Sequence, residues 1–212
     1  ERPVFSVSDA DGNHSVVSLA ELLARLSNEQ ATELAQLMPH QQHVMHAFVV
    51  QLMALVAARG GLEPSSLSRT AEGWRDALRQ LAGSAEAFQL VVKDLSKPAF
   101  LQPPVMDGSL DKFKDVSTPD SLDVLVLAKN HDVKAARIRY PRIEHWVFAL
   151  LSLQTQQGFS GRDNYGVARM NGGFGNRPGF GMTPSLEWAR RVLRDVRVAL
   201  KARPALLSDT YP

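Results

Sequence analysis

The residues of this chain best suited to chemistry lie in one stretch, GFSGRDNYGVARMNGGFGNRPGFG at 158–181. It holds eight of the fourteen glycines, interleaved with Arg162, Arg169 and Arg177 and with the rings of Phe159, Tyr165, Phe174 and Phe180. Glycine lets a backbone take positive φ and approach a ligand with no Cβ in the way. Arginine supplies planar, permanently charged donors that match phosphate and base edges, and the rings supply stacking faces. Such a surface is fit to lie against a nucleic acid. The plainer reading of the same composition is a loop-rich surface with ordinary turn chemistry.

Charge along the chain favours the first reading. Residues 1–128 carry 10 Lys/Arg against 16 Asp/Glu, a net of −6, and residues 129–212 carry 14 against 6, a net of +8. The formal net charge of +2 hides this asymmetry, which points to one part of the chain facing a polyanion. Contacts from Lys/Arg to phosphate would release counterions, so binding would weaken with salt. The alternative is two solvated faces of opposite sign.

Enzyme constellations are incomplete. His40, His43 and His46 recur every three residues, a spacing that walks round a helix, and a metal would need a further ligand from elsewhere. Lys129-Asn130-His131-Asp132 places His131 beside Asp132, residue types that serve acid–base or nuclease chemistry. Neighbours in sequence seldom converge on one reacting atom, however, and no second carboxylate or histidine motif accompanies them. Gly158 to Gly161 is not followed by Gly-Lys-Ser/Thr, so it is no phosphate-binding P-loop. Gly-Phe-Ser-Gly also lacks the pattern of a nucleophile elbow. The expectation is a chain without catalytic residues, metal or cofactor.

The elements that must position these residues read as α+β, mainly helical, with short β-hairpins and a long glycine-rich loop segment. Phe5–Val7 and Ser15–Val17 flank Asp11-Gly12, a hairpin signal. Ser18-Leu19-Ala20-Glu21 is a capping box opening a helix through Leu26. Val44, Phe48, Leu52, Leu55 and Val56 recur at helical spacing over 40–58, and Gly60-Gly61 stops that helix. A further helix runs from about Ala71 to Leu81, with Trp74, Leu78 and Leu81 inward. Leu95 to Asp120 is an irregular connector rich in proline and polar residues, and Leu122–Ala128 fits either strand or helix. Ile143–Gln156 is a helix that ends where the glycine stretch begins. In the last helix Thr183 and Pro184 suit the N-cap and first turn, with Leu186, Ala189, Leu193, Val196 and Leu200 as its apolar stripe. Its basic stripe, Arg190, Arg194, Arg197 and Lys201, has no acidic partner at i,i+4 within the helix. Glu187, Arg191 and Asp195 are expected to pair with one another. The basic stripe suits phosphate, an acidic subunit surface or plain solvation.

Composition sets the outer limits. At 44% hydrophobic residues the chain is globular and long enough for a buried core. No apolar run reaches bilayer length, and no secretory signal is visible. The absence of cysteine excludes disulfides and thiolate chemistry and fits a reducing cytoplasm. The chain begins at Glu1 without an initiator methionine, which leaves room for a missing start.

Five runs carry a resemblance to a known family. They are Lys97-Pro98-Ala99-Phe100-Leu101-Gln102-Pro103, Ala128-Lys129-Asn130-His131-Asp132-Val133-Lys134, Leu153-Gln154-Thr155-Gln156-Gln157-Gly158-Phe159, Asn164-Tyr165-Gly166, and Ala168-Arg169-Met170-Asn171-Gly172-Gly173. In this order they resemble the N-terminal domain of CasA, the large subunit of the type I-E CRISPR Cascade complex, over nearly the whole of residues 1–212. The resemblance implies a non-catalytic subunit that recognises the protospacer-adjacent motif in double-stranded target DNA, largely from the minor groove, and helps open the duplex. Base pairing with the CRISPR RNA then reads the rest, the usual division of labour in RNA-guided recognition. Implied partners are the CRISPR RNA, the target duplex, other Cascade subunits, and a helicase-nuclease recruited after target binding or a fused nuclease domain. No membrane is implied, and the setting is cytoplasmic antiviral defence.

Carried over by position, the family's minor-groove glycine loop falls on Gly158, Phe159, Ser160 and Gly161, with Arg162 and Arg169 beside it for phosphate. The loop near the RNA 5′ handle falls near 129–142, which makes Lys129, Asn130, His131 and Lys134 nucleic-acid contacts. Ser160 and Arg162 depart from a more uniform glycine run. The resemblance also implies a C-terminal helical bundle, absent from this sequence, so that 204–212 reads as the start of a continuing segment. A fragment, a shortened subunit and a fusion all remain open. Two other functions stay open as well: a nuclease or nucleotide-handling enzyme using His131 and Asp132, and a purely structural docking module.

Overall fold

The structure is a computed structural model, and it describes residues 2–35, 37–111, 113, 115–122, 138–156, 183, 185 and 187–206. The chain divides into two compact units, Glu1–Gly83 with Gly181–Pro212, and Ser84–Phe180. Fold class is as the sequence predicts, α+β and mainly helical, with one small antiparallel sheet among the described residues.

In the first unit, β1 (Phe5–Ser8) and β2 (His14–Val17) pair antiparallel, with Phe5 opposite Val17 and Ser8 opposite His14. The turn is organised by Asp9. Its Oδ1 accepts the amides of Asp11 and Asn13 at 3.0 and 2.9 Å, and Gly12 takes φ +79°. The Asn13 side chain also donates to Asp9, and this set holds the Asp9 carboxyl below the usual carboxylate range. A third strand, β3 (Glu33–Leu34), joins the other edge of β1 with Val7 opposite Leu34. Phe5, Val7, Val17 and Leu34 are buried, while Val16 is exposed, the alternation of a sheet covered on one face.

The predicted capping box opens α1 (Leu19–Ser27): the Ser18 amide donates to Glu21 Oε2 at 2.7 Å, and the Glu21 amide donates back to Ser18 Oγ at 3.3 Å. The Ser18 amide keeps the Glu21 carboxyl ionised below its ordinary range. Leu22, Leu23 and Leu26 are fully buried. The long helix α2 spans Pro39–Gly60, with proline in its first turn and Gly61 closing it at φ +58°. Gly61 sits where a left-handed residue is needed, which is why the pair Gly60-Gly61 stops the helix. Length and apolarity would let α2 cross a bilayer, but it packs on other helices as a core element, with Val44, Met45, Val49, Met53, Val56 and Ala57 buried. Helix α3 (Ala71–Ala82) is capped by Thr70 and ends at Gly83. Trp74 is wholly buried, and its Nε1 donates to Ser27 Oγ at 3.1 Å, tying α3 to the end of α1.

In the second unit the described residues from Ser84 to Leu122 are irregular, as the prolines and polar residues predict for Leu95 to Asp120, broken by 3-10 turns at Glu86–Phe88 and Pro119–Ser121. Polar bonds to main-chain groups hold it. Phe100 N donates to Gln89 O at 2.7 Å, Val105 N to Leu95 O at 2.7 Å, and Gln102 Nε2 to Leu90 O at 2.9 Å. The next described helix, α4, spans Ile143–Gln156, the range its periodicity predicts. Its buried set is Val147, Phe148, Ala149 and Leu151, with Ser152 and Gln154 also buried.

The last described helix, α5, belongs to the first unit and spans Trp188–Leu206. It starts later than Thr183 and Pro184 suggest. Trp188 N donates to Thr32 O and Ala189 N to Ala31 O, both at 3.0 Å, so two first-turn amides are satisfied by the backbone leading into β3. Thr183 turns instead onto Ser185 O, and Ser185 Oγ accepts the Glu187 amide. The buried stripe is Trp188, Ala189, Val192, Leu193 and Val196, packed on α2 and α1.

Candidate nucleic-acid interface

Helix α4 carries the chain to the threshold of the glycine stretch, and its last turns are anchored from the side. Gln154, 5% exposed, donates from Nε2 to Leu101 O at 2.8 Å. Leu101 sits at φ +53°, in the left-handed region that a branched side chain rarely takes. Its carbonyl is thereby turned to a partner 53 residues away. Thr155 Oγ1 bonds back to Leu151 O. This link joins two of the runs singled out in the sequence, 97–103 and 153–159, which have no local reason to meet. The predicted contact residues beyond it, Gly158, Phe159, Ser160, Gly161, Arg162 and Arg169, lie outside the described residues. So do Lys129, Asn130, His131, Asp132 and Lys134.

The basic stripe of α5 is described, and it does not stay whole. Arg190 Nε lies 2.7 Å from Glu187 Oε2 and 3.2 Å from Glu29 Oε2. Arg194 reaches its own neighbour, Asp195 Oδ1, at 2.7 Å. The expected pairing among Glu187, Arg191 and Asp195 is therefore replaced. Arg190 takes Glu187, Arg194 takes Asp195, and Arg191 Nε is buried without a hydrogen-bond partner among the described residues. The expectation that the stripe lacks acidic partners is corrected for its first half. Arg197 and Lys201 form no ion pair among the described residues, and both are exposed. These two, one helical turn apart, are the part of the stripe left for an anion.

Asp195 also explains why the histidine row makes no site. His46 Nε2 stands 2.8 Å from Asp195 Oδ2, and Trp188 Nε1 stands 3.2 Å from His46 Nδ1. The indole N–H can only donate, so Nδ1 accepts and the imidazole proton sits on Nε2, donated to Asp195. Both ring nitrogens are occupied, which leaves no lone pair for a metal or a substrate proton. His43 is exposed on another face of α2. Among the described residues no three His, Asp or Glu gather as metal ligands. Partial burial raises the Asp195 carboxyl, but hydrogen bonds from His46 and Arg194 outweigh it and leave the group below its ordinary range. The Trp188–His46–Asp195–Arg194 chain is thus a polar clasp between α2 and α5. The i, i+3, i+6 spacing of the histidines holds no trace of it, because its other members lie more than 140 residues away.

Comparison of the chain with protein-family models, with curated proteins and with solved structures gives no match.

Proposed function

We propose that this chain is a non-catalytic DNA-recognition subunit of an RNA-guided CRISPR effector complex, acting in the cytoplasm. One observation carries the reading: the five ordered runs from Lys97 to Gly173 that resemble the CasA N-terminal domain. The rise of net charge from −6 over 1–128 to +8 over 129–212 supports it. So does the bond from Gln154 to Leu101, which draws two of those runs together beside the start of the glycine stretch.

In this reading the glycines at 158 and 161 allow close backbone approach to the minor groove of the motif. Arg162 and Arg169, with Arg197 and Lys201 on α5, meet phosphate. Phosphate contacts set position and carry affinity, whereas groove contacts discriminate sequence. Lys129, Asn130, His131 and Lys134 serve the RNA end of the complex.

The test is duplex binding by the CRISPR RNA complex with and without this chain, on targets with cognate or scrambled motif, over a salt series. Addition of the chain is expected to confer motif-dependent binding that weakens with salt. Gly158→Arg or Gly161→Asp is expected to abolish motif dependence while the complex still assembles. Unchanged motif-dependent binding in both variants would falsify the glycine-loop assignment.

A further inference from the structure

The connector between Leu95 and Asp120 carries a pattern that its present structure does not use. Met106, Leu110, Phe113 and Val116 are 79%, 53%, 62% and 36% exposed. Four large apolar side chains within eleven residues are more than the scattered exposure of an ordinary surface. Their spacing is four, three and three. At the pitch of an α-helix they would fall within an arc of roughly 120°, one apolar stripe. Asp107, Asp111 and Asp115 would fall on the opposite side.

None of the described residues of this segment is helical. Gly108 N donates to Val105 O at 3.0 Å and Phe113 N to Leu110 O at 2.9 Å, both as turns. Asp107 Oδ1 accepts the Ser109 amide, and Gly108 holds φ +66°. A lone helix of this length is marginal in water, and glycine in its interior weakens it further. The stripe therefore gains its burial only against another surface.

We propose that Met106–Val116 is a docking segment, taken up as a single amphipathic helix in an apolar groove of another protein chain of the effector complex. This rests on the proposed function for the existence of that complex. Charge decides the class of partner. Three aspartates against Lys112 and Lys114 leave the segment net acidic, which disfavours nucleic acid and anionic lipid surfaces alike. A protein groove reading anchors at i, i+4, i+7 and i+10 fits both the spacing and the sign.

The experiment measures binding of the full chain to the CRISPR RNA complex assembled without it, by interferometry. Leu110→Asp with Phe113→Asp is expected to weaken incorporation at least about tenfold, since central anchors dominate such interfaces, with circular dichroism and melting unchanged. Val16→Asp with Val91→Asp, two exposed apolar residues outside the stripe, adds the same charge and is expected to leave incorporation unchanged. Gly108→Ala is expected to tighten it about fivefold, because alanine disfavours the left-handed turn and favours the helix. Wild-type affinity in the Leu110/Phe113 variant overturns the docking segment while leaving the complex reading intact. Equal loss in the Val16/Val91 control overturns it too, as a charge effect. Failure of the wild-type chain to join the complex overturns the reading and the docking segment together.

Discussion

The two units of the chain are built on different principles. In Glu1–Gly83 with Gly181–Pro212, the described helices bury periodic apolar stripes, and α1, α2 and α3 carry their own start and stop signals. Ser18, Pro39 and Thr70 stand at the starts, with Gly61 and Gly83 after the ends. In Ser84–Phe180 the described chain before α4 buries no periodic stripe within the unit. It is held by single polar bonds to distant carbonyls, from Gln102 to Leu90 and from Gln154 to Leu101. A unit of the first kind loses a little for each cap removed and much for each core side chain. A unit of the second kind depends on a few bonds and leaves apolar residues such as Met106 and Phe113 in solvent.

The comparison breaks most visibly at Trp74. Trp74→Ala removes a wholly buried ring and the bond to Ser27, and is expected to cost about 3–5 kcal/mol. Thermal melting followed by circular dichroism reads this directly, and a loss under about 1 kcal/mol would show that α1 and α3 do not share one core.

A smaller effect is expected from Gln154→Leu, which keeps the volume but leaves the Leu101 carbonyl without its donor, a loss of about 1–2 kcal/mol. Hydrogen exchange should rise in 84–156 and stay unchanged in α1–α3. A uniform rise over both units would contradict their separate stabilisation.

Smallest, and most diagnostic of the clasp, is the acid response of Asp195. Its carboxyl lies below the ordinary range when folded, so its contribution is present above the unfolded value near pH 4. It is lost as pH falls through the lower folded value. Asp195→Asn leaves an acceptor for His46 but no charge for Arg194. It is expected to cost roughly 1 kcal/mol at pH 7, with the gap from wild type closing by pH 2. A gap that persists undiminished at pH 2 would mean that the charge contributes nothing.

Much of the fold was legible because its signals are local. The capping box at Ser18 and Glu21, the Asp11-Gly12 turn and the stop at Gly60-Gly61 each act within four or so residues, the reach of a turn or a helical repeat. The candidate interface was legible only as composition: glycine, arginine and rings in one stretch, and a change of charge sign along the chain. Strand β3 was not legible. Two residues, Glu33 and Leu34, show no alternation, and they are strand only because Val7 and Ser8 lie opposite.

By itself, then, the sequence determined the helices, the hairpin, the irregular connector and the basic character of residues 129–212. Tertiary structure decided which charges remain free and where α5 begins. Thr183 and Pro184 had the chemistry of a helix start, yet Trp188 and Ala189 supply the amides that Thr32 and Ala31 accept. Arg190 and Arg194 were equivalent to Arg197 and Lys201 by spacing; Glu187 and Asp195 take up the first pair locally, and only the fold adds Glu29, 161 residues away, to Arg190. The physical reason is one of range. Periodicity and capping are settled between neighbours on one turn, whereas the partner of a charge or a buried donor is whatever the folded chain brings within about 3 Å.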